Sequence, residues 1–301
     1  MTLTLRWSSS QPNEQNISKL EGFNLRYAFG PAPGREWWSL DAQNIELRIT
    51  AFEADEEELV EVFLHPERPP YFGSYHLVVF DVLHPDLFAK HGESCKNIFA
   101  STWYQWTKNG NFALIYGAQK ETADRTYRVS GAYEKIRRRF PRIAKLADRQ
   151  LAFAEKHGCV ETLPDKTVNP SRGYPLLCSR TEYGGVMPTV PLNYHIQGTA
   201  CWWMGKAMVR CQAQLDEWWE RDGFDGRIAM QVHDELVFDL PVGRMSPVEE
   251  AAKKTKFRLG SNLWKINVLK KLMEQGGDDW GIPTPVGVEY HESNWAEGVT
   301  L

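Results

Sequence analysis

The sequence lacks the features of a membrane protein and of a secreted protein. No apolar run approaches the roughly 18 residues that a membrane-spanning helix requires, and the mean hydropathy is −0.47. The first residues, MTLTLRWS, contain neither a basic region followed by an apolar stretch nor a cleavage site. These absences exclude a spanning helix and argue against secretion, so we expect a cytoplasmic protein with no membrane partner.

The chain also lacks paired cysteines and an excess of positive charge. Its five cysteines form no CxxC pair, which indicates reduced thiols and argues against a disulfide framework or a zinc ribbon. With 35 basic and 39 acidic residues, the formal net charge is −4, so the overall charge gives no sign of a nucleic-acid partner. Internal repeats and low-complexity tracts are missing too, which argues against a solenoid.

What the chain does contain is enough apolar surface for a core. Of its 301 residues, 42% are hydrophobic and 12% are aromatic, which excludes wholesale disorder. Strand patterns and long helix patterns alternate without a βαβ rhythm, which predicts an α+β fold. We predict strands over 37–41 and 285–290, a hairpin over 227–240, helices over 44–51, 97–116, 131–157 (kinked at Pro141, ended by Gly158), 195–221 and 247–275, and a domain boundary at 66–74.

Charge is unevenly distributed along the chain. Residues 41–67 hold nine acids against Arg48 alone, whereas residues 120–149 hold ten bases against four acids. One interpretation is that these are two solvated helix faces. The other is that a carboxylate pole for metal ions faces a basic pole for phosphates, and charge alone does not decide between the two.

Two places in the sequence present carboxylates for chemistry. Asp41 ends a predicted buried strand, and Glu46 follows in the first turn of the next helix. Asp234 and Glu235 lie at the tip of the predicted hairpin. These residues are either capping and turn residues, or they meet in space and share divalent cations, because hard carboxylate oxygens suit magnesium.

The segment 102–117 carries a third pattern. On a helix of 3.6 residues per turn, Lys108, Phe112 and Tyr116 share one face, because each step of four residues drifts by only about 40°. A lysine beside two aromatic rings can bind a triphosphate and stack against a nucleotide. The alternative is an aromatic stripe in a core with a lysine that reaches the surface.

These three patterns, in this order, resemble motifs A, B and C of the family A DNA polymerases, the bacterial DNA polymerase I type. The segments are 41–48 (DAQNIELR), 108–117 (KNGNFALIYG) and 232–235 (VHDE). Three flanking segments resemble the same family: 6–17 (RWSSSQPNEQNI), 159–163 (CVETL) and 193–200 (NYHIQGTA). Each segment alone is moderately specific, but six of them in the correct order over nearly the whole chain are very specific.

The resemblance implies a role for each matching residue. Asp41 and Asp234 would hold two Mg²⁺ ions, with Glu235 as an auxiliary acid. Lys108, with His76, would bind the phosphates of the incoming dNTP; Phe112 and Tyr116 would contact its sugar and base. Glu46 would crowd the sugar 2′ position and exclude ribonucleotides. The residues that would line the DNA minor groove and the primer end are Arg6, Asn13, Gln15, Asn193, Gln197 and His233.

The resemblance also implies an architecture and a reaction. A palm with an antiparallel sheet would be formed by 1–65 and 190–301, and mainly helical fingers by 66–189. The acidic segment would belong to the palm, and the basic segment would face template phosphates from the fingers. The implied reaction is template-directed DNA synthesis from dNTPs on a primer–template, in the cytoplasm of a bacterial or phage-infected cell.

Departures from the family pattern leave alternatives open. Tyr104 stands where the family usually has a phosphate-binding arginine, and Ala42, Ala113 and Thr189 replace other common residues. No segment of this chain resembles a thumb or an exonuclease domain, so a second chain that supplies one of them is a further expected partner. The alternatives to an active polymerase are a catalytically weak or silent DNA-binding fragment or subunit of a split polymerase, and a metal-dependent nuclease that uses the same acids.

Overall fold

The computed structural model describes residues 19–20, 23–242 and 262–301. In this part of the chain, helices pack with an antiparallel sheet, so the predicted α+β class is confirmed. Three predicted DNA-binding residues, Arg6, Asn13 and Gln15, lie outside the described residues. The helix predicted over 247–275 is described only in its later part.

The predicted elements that fall within the described residues occur in the predicted order, and further short helices and strands that were not predicted lie between them. The helices are Ile45–Glu53 (α1), Glu57–Leu64 (α2), Tyr75–Leu83 (α3), Pro85–His91 (α4), Cys95–Ile98 (α5), Trp103–Ile115 (α6), Lys120–Tyr127 (α7), Ala132–Arg139 (α8), Pro141–His157 (α9), Pro191–Asp222 (α10) and Leu263–Trp280 (α11). The strands are Lys19–Leu20 (β1), Phe23–Asn24 (β2), Arg35–Ala42 (β3), Cys159–Glu161 (β4), Pro175–Leu177 (β5), Arg227–Val232 (β6), Glu235–Pro241 (β7), Val286–His291 (β8) and Gly298–Thr300 (β9).

Contacts between residues divide the chain into two compact units. Within the described residues, the first unit contains the chain up to Ile45 and the chain from Cys201 onward, and the second contains 46–200. These limits differ from the boundaries predicted at 66 and 190. The reason is that α1 and α2 contribute Leu47, Ala51 and Leu59 to the apolar core of the second unit. The functional division into palm and fingers stays a prediction.

The first unit is built on a five-stranded antiparallel sheet with the order β6-β7-β3-β8-β9. β3 lies at its centre and pairs with β7 and β8. Successive side chains of a strand point to opposite faces. Trp38 and Leu40 are fully buried on the face of Glu36, whose carboxylate accepts a 2.8 Å hydrogen bond from Asn262 just before α11. Asp41 is therefore directed to the opposite face, where it is exposed.

The predicted hairpin is formed by β6 and β7. Val232 pairs with Glu235, and His233 adopts a left-handed conformation with φ 54° between them. The register shifts between Ile228 and Met230, so the side-chain alternation predicted for the first strand is interrupted by a bulge. The tight turn places Asp234 at the end of the sheet.

The second unit has a helical core in which α6 differs from its predicted bounds. The helix begins at Trp103 rather than 97, because 95–98 forms the separate helix α5 and Thr102 has a non-helical conformation (φ −129°, ψ −113°). Gly110 does not interrupt α6. A Cβ atom at Gly110 would lie 2.3 Å from the ring carbon Cδ1 of Tyr127, so the glycine is needed for this ring to pack on the helix.

The basic segment predicted as one kinked helix is two helices. α8 ends at Arg139, and Pro141 occupies the first turn of α9, where its missing N–H costs nothing. Gly158 ends α9 in a left-handed conformation with φ 74°, as predicted.

The acidic and basic segments bind each other within the second unit. Arg139 Nη2 lies 2.5 Å from Glu58 Oε1, and Arg142 contacts Asp55 at 2.9 Å and Glu57 at 2.7 Å. Most of these side chains are exposed, as expected for solvated helix faces, but the two segments pair with each other and do not form two separate poles. A role of the basic segment in template phosphate binding stays a prediction.

Glu56 caps a helix that lies 85 residues further along the chain. The N-cap residue of α9 is Phe140, whose side chain has no acceptor, and Glu56 Oε2 instead accepts the backbone N–H groups of Arg142 (3.0 Å) and Ile143 (3.3 Å). The carboxylate is buried, with 8% of the residue exposed. Its negative charge also favours this end of the helix.

We expect Glu56→Ala to lower the free energy of unfolding by about 2 kcal/mol, because two N–H groups at the start of α9 lose their acceptor. Glu57→Ala, which removes an exposed partner of the Arg142 side chain, should change stability by less than about 0.5 kcal/mol. Urea unfolding at pH 7 measures both. Equal effects of the two substitutions would contradict the capping role.

Candidate active site

The structure brings two distant segments together where the strands β3 and β7 of the sheet meet the hairpin turn. Asp41 lies opposite Glu235 in the register of β3 and β7, and the Ala42 N–H donates a 2.9 Å hydrogen bond to the Asp234 carbonyl oxygen. About 190 residues separate the two segments in sequence. Pairing of β3 with the strand that leaves the hairpin turn therefore places three carboxylate residues, Asp41, Asp234 and Glu235, within one stretch of the central strand pair.

The chemistry of these side chains fits a divalent cation. Asp41 is exposed and Asp234 is partly exposed, and both offer hard carboxylate oxygens. Within the described residues, no group of three or more His, Cys, Asp and Glu side chains is placed so that it could hold a metal ion. Two carboxylates instead suit a cation such as Mg²⁺, which keeps water and substrate oxygens among its ligands.

Glu235 is anchored by residues that sequence reasoning missed. The Trp295 indole N–H lies 3.4 Å from Glu235 Oε1, and the Arg26 guanidinium stacks 3.6 Å above the centre of the Trp295 ring. Burial lowers the pKa of Arg26, and the carboxylates of Glu235 and Glu289 oppose that shift. Only pairing of β8 next to β3 brings Trp295 here, so a local pattern could not have revealed it.

At the end of α6 in the second unit, two of the predicted nucleotide-contacting residues lie side by side. The ring centres of Phe112 and Tyr116 are 6.1 Å apart, and the imidazole of His76 lies 5.8 Å from Phe112. Lys108 is half-buried, and its charge contributes to lowering the pKa of His76. His76 and Phe112 are therefore in contact, and Lys108 is close enough to act on His76 electrostatically; nucleotide binding by these residues stays a prediction.

Tyr116 lies just past the last residue of α6 and contacts the first predicted site residue of α1. Its hydroxyl donates a 2.5 Å hydrogen bond to Glu46 Oε2, and Glu46 is only 3% exposed. The chain turns sharply at Gly117, which has φ 80° and would bring a Cβ within 2.6 Å of Thr189 Cα. The turn needs glycine and holds Tyr116 at the end of the helix.

Tyr104 lies at the position where the family usually has an arginine, and its side chain packs in an apolar environment. Its ring packs against the apolar cluster of Leu77, Phe80, Phe88 and Cys95, and its hydroxyl lies 3.5 Å from Ser74 Oγ. The ring edge faces His76 at 6.4 Å between centres. Tyr104 therefore shapes the surroundings of His76 and carries no positive charge.

His76 is held by two residues that sequence reasoning did not single out. Its Nδ1 atom is 2.9 Å from Asn111 Nδ2, and the Tyr127 hydroxyl donates a 2.8 Å hydrogen bond to Asn111 Oδ1. Asn111 is fully buried, with 0% of its surface exposed. A buried amide within the motif 108–117 was the available signal, because such a group needs partners for both ends.

The remaining predicted DNA-binding residues lie in two different places. His233 is exposed at the hairpin turn of the first unit, whereas Asn193 and Gln197 lie in the first turns of α10. Asn193 Oδ1 is buried without a hydrogen-bond partner among the described residues, and Gln197 is 8% exposed. Between them, His195 binds the Glu53 carboxylate and the Glu161 carbonyl oxygen, which ties this part of α10 to α1 and β4.

The model of the family described as DNA polymerase family A matches residues 1–282. DNA polymerase I of Pseudomonas aeruginosa is 31% identical over 248 residues, which are 79% of this chain and 24% of that protein. The thermostable DNA polymerase I of Thermus aquaticus is 27% identical over 292 residues, which are 93% of this chain and 31% of that protein.

The fold resembles that of a solved polymerase domain. The POL domain of Pol1 from M. smegmatis, in complex with DNA primer–template and dNTP, superposes with a TM-score of 0.71 at 22% identity, covering 98% of this chain and 47% of that chain. The chain spans about a quarter to a third of the curated relatives named above. No helix in the described part of the chain has the length and apolarity to cross a membrane.

The family assignment follows from the extent of the match. The family model covers well over half of the sequence, and the matched residues include all three segments with candidate site residues, 41–48, 108–117 and 232–235. The chain therefore belongs to DNA polymerase family A.

Proposed function

We propose that this chain catalyses template-directed DNA synthesis, with 1–65 and 190–301 acting as the palm and 66–189 as the fingers. A primer 3′-oxygen attacks the α-phosphorus of a dNTP, a new phosphodiester bond forms, the bond between the α- and β-phosphates breaks, and pyrophosphate leaves. The observation that carries the proposal is the convergence of Asp41 and Asp234 at the ends of paired strands. The substrates and partners proposed are primer–template DNA and dNTPs.

In the first unit, the proposed task of Asp41 and Asp234 is to hold two Mg²⁺ ions, and that of Glu235 is to add negative charge beside them. When bound, the ions would supply charge neutralisation at the attacking and leaving oxygens. The hydrogen bond between Trp295 and Glu235 supports these different roles, because it restrains the Glu235 carboxylate while Asp41 stays exposed. His233, exposed at the same turn, is proposed to contact the primer end.

In the second unit, the proposed task of Lys108 and His76 is to bind the triphosphate. Phe112 and Tyr116 would bind the sugar and base through their ring faces. The hydrogen bond from Tyr116 holds the Glu46 carboxylate in place, which supports a role for Glu46 at the sugar 2′ position. Asn193 and Gln197 are proposed to contact DNA bases in the minor groove.

A primer-extension assay tests the proposed function. The chain is incubated with a labelled primer–template, the four dNTPs and Mg²⁺, and a parallel reaction contains EDTA. Template-dependent extension that EDTA abolishes is the expected result. No extension, even with a supplied chain that bears a thumb, would overturn it. Cleavage of the labelled DNA in the absence of dNTPs would instead indicate a metal-dependent nuclease.

The second candidate function is a catalytically weak or silent DNA-binding fragment or subunit of a split polymerase. The specific observation in its favour is Tyr104, whose ring packs into an apolar cluster where the family usually has a phosphate-binding arginine. Under this alternative, the chain binds primer–template DNA but does not extend it. The same assay, run beside a DNA-binding measurement, separates the two candidates.

We expect Glu46→Ala to increase the use of ribonucleotides relative to deoxyribonucleotides by about 100-fold, because the substitution removes the side chain proposed to crowd the 2′-hydroxyl. Glu46→Gln keeps the volume and should change the preference by less than about fivefold. Single-nucleotide incorporation with matched dNTP and rNTP gives the ratio of kcat/KM values. An unchanged ratio for Glu46→Ala would contradict the proposed role.

A further inference from the structure

A chain of buried hydrogen bonds runs from Tyr127 through Asn111 to His76. The Tyr127 hydroxyl is 2.8 Å from Asn111 Oδ1, and Asn111 Nδ2 is 2.9 Å from His76 Nδ1. Tyr127 is 1% exposed, Asn111 0% and His76 7%. All three residues belong to the second unit. Water therefore has little access to these atoms, and the direction of each hydrogen bond must be set within the chain itself.

The direction of the first hydrogen bond follows from the tyrosine. Burial raises the pKa of the Tyr127 hydroxyl well above its usual value, so the group keeps its hydrogen. Within the described residues, Asn111 Oδ1 is the acceptor that this hydroxyl meets. If the Asn111 amide were turned around, its NH2 group would face the tyrosine and the hydroxyl hydrogen would be buried without an acceptor, which is unfavourable.

The direction of the second hydrogen bond follows from the first. With Oδ1 toward Tyr127, Asn111 presents its NH2 group to His76, and an amide NH2 only donates. His76 Nδ1 must then be the acceptor and carry no hydrogen. Burial lowers the pKa of His76 to about 4, with a smaller effect from the charge of Lys108, so the ring is neutral near pH 7. A neutral imidazole with a bare Nδ1 carries its hydrogen on Nε2.

We propose that Asn111 and Tyr127 are positioning residues that fix His76 as the Nε2–H tautomer, so that a neutral ring donates one hydrogen bond to a triphosphate oxygen beside Lys108. The inference rests on the proposed function for its ligand, but the tautomer itself does not depend on it. Nδ1 is the ring nitrogen that Asn111 binds, which leaves Nε2 for the ligand.

Gly110 has a part in this arrangement. The Tyr127 ring lies against α6 where Gly110 has no side chain, with an added Cβ only 2.3 to 2.5 Å from three ring carbons. The glycine therefore lets the ring approach the helix closely enough for its hydroxyl to reach Asn111, the next residue along.

The tautomer is measured directly by long-range ¹H–¹⁵N NMR of the histidine rings in the full chain, with His76 assigned by its loss in His76→Gln. At pH 7 we expect the Nε2–H pattern for His76. In Asn111→Asp, the carboxylate only accepts hydrogen bonds, so we expect the neutral ring of His76 to carry its hydrogen on Nδ1 and to leave Nε2 without one. Asn109→Asp makes the same chemical change at an exposed position of α6 and should leave the His76 pattern unchanged.

Tyr127→Phe gives a milder test that keeps the ring. Without the hydroxyl, Asn111 is free to turn around, and we expect a mixture of tautomers at His76. This variant also stands in for Asn111→Asp if the latter does not fold. A pure Nδ1–H pattern, or an equal mixture, in the wild-type chain would overturn the inference whatever the activity of the chain.

The effect on the ligand is measured as KM for dNTP in primer extension. We expect Asn111→Asp to raise KM by about 10-fold more than Asn109→Asp does, because the hydrogen-bond donor is lost in the first variant only. Equal KM values for the two aspartate variants would overturn the donor role. Failure of the wild-type chain to extend a primer would overturn the proposed function while the NMR result stands.

Discussion

Asp234→Asn is expected to lower the rate of primer extension by at least about 10³-fold, which corresponds to about 4 kcal/mol of transition-state stabilisation. The amide keeps the size of the side chain, but it removes a negative charge from the pair of carboxylates that β3 and β7 bring together. The hairpin turn should fold as before, because the hydrogen bond that Asp234 contributes to Ala42 comes from its backbone carbonyl. Single-turnover kinetics with saturating dNTP and Mg²⁺ measure the effect.

Asp216→Asn is the matched control for this variant. Asp216 is an exposed aspartate of α10 whose side chain binds Gln212, so the same chemical change should leave extension within about twofold. DNA binding should be similar in both variants. If the Asp234→Asn variant extended primers as fast as the wild type, these carboxylates could not be assigned to catalysis.

Lys108→Ala is expected to raise KM for dNTP by about 10²-fold, or about 2.7 kcal/mol, because α6 carries no other cation. Tyr104, one turn before it on the same helix, packs into an apolar cluster and cannot replace the lost charge. The neighbouring His76 is neutral near pH 7, since burial lowers its pKa to about 4. Under the proposed function, we therefore expect triphosphate binding to depend on Lys108 more strongly than it would if position 104 were an arginine.

Lys120→Ala controls for the loss of a lysine. Lys120 is exposed at the start of α7 and lies 3.4 Å from Glu134, so its removal should leave KM unchanged within about twofold. Steady-state incorporation of one nucleotide gives KM and kcat separately. If Lys108→Ala and Lys120→Ala behaved alike, Lys108 would have no direct part in phosphate binding.

The strand that ends near Asp41 and the hairpin that carries Asp234 were predictable from local sequence, and the reason is physical. Alternation of apolar residues on both sides of His233 predicts two paired strands, and the charged tip predicts a tight turn. The structure has this hairpin at 227–241 and a strand at 35–42. That these strands pair with each other could be reached only through the family resemblance, because no local pattern specifies which strands become neighbours.

The charged segments show where local patterns are insufficient. Counting acids and bases identified 41–67 and 120–149 correctly, but not the pairing of Arg142 with Asp55 and Glu57. The capping of α9 by Glu56 depends in the same way on contact between residues far apart in sequence. Such contacts depend on how the helices pack, and the sequence of one segment alone does not identify the residues that it will contact.

Helix limits were accurate where a backbone constraint marks them. Gly158 ends α9 as predicted, and the long helix α10 ends at Asp222, just before Gly223. The break before Trp103 was missed, because residues 97–102 have helical spacing and contain neither proline nor glycine. Gly110 lies inside α6, and its missing side chain is what admits the Tyr127 ring.

The central claim, that Asp41 and Asp234 form one cation site, is tested most directly by Mn²⁺ titration of the wild type, Asp41→Asn, Asp234→Asn and the double variant, followed by electron paramagnetic resonance. The account predicts that each single substitution weakens the tightest binding by at least about 10-fold and that the double variant is little worse than either, since both side chains serve the same ion. Unchanged Mn²⁺ affinity in the single variants, or losses that simply add in the double variant, would contradict it.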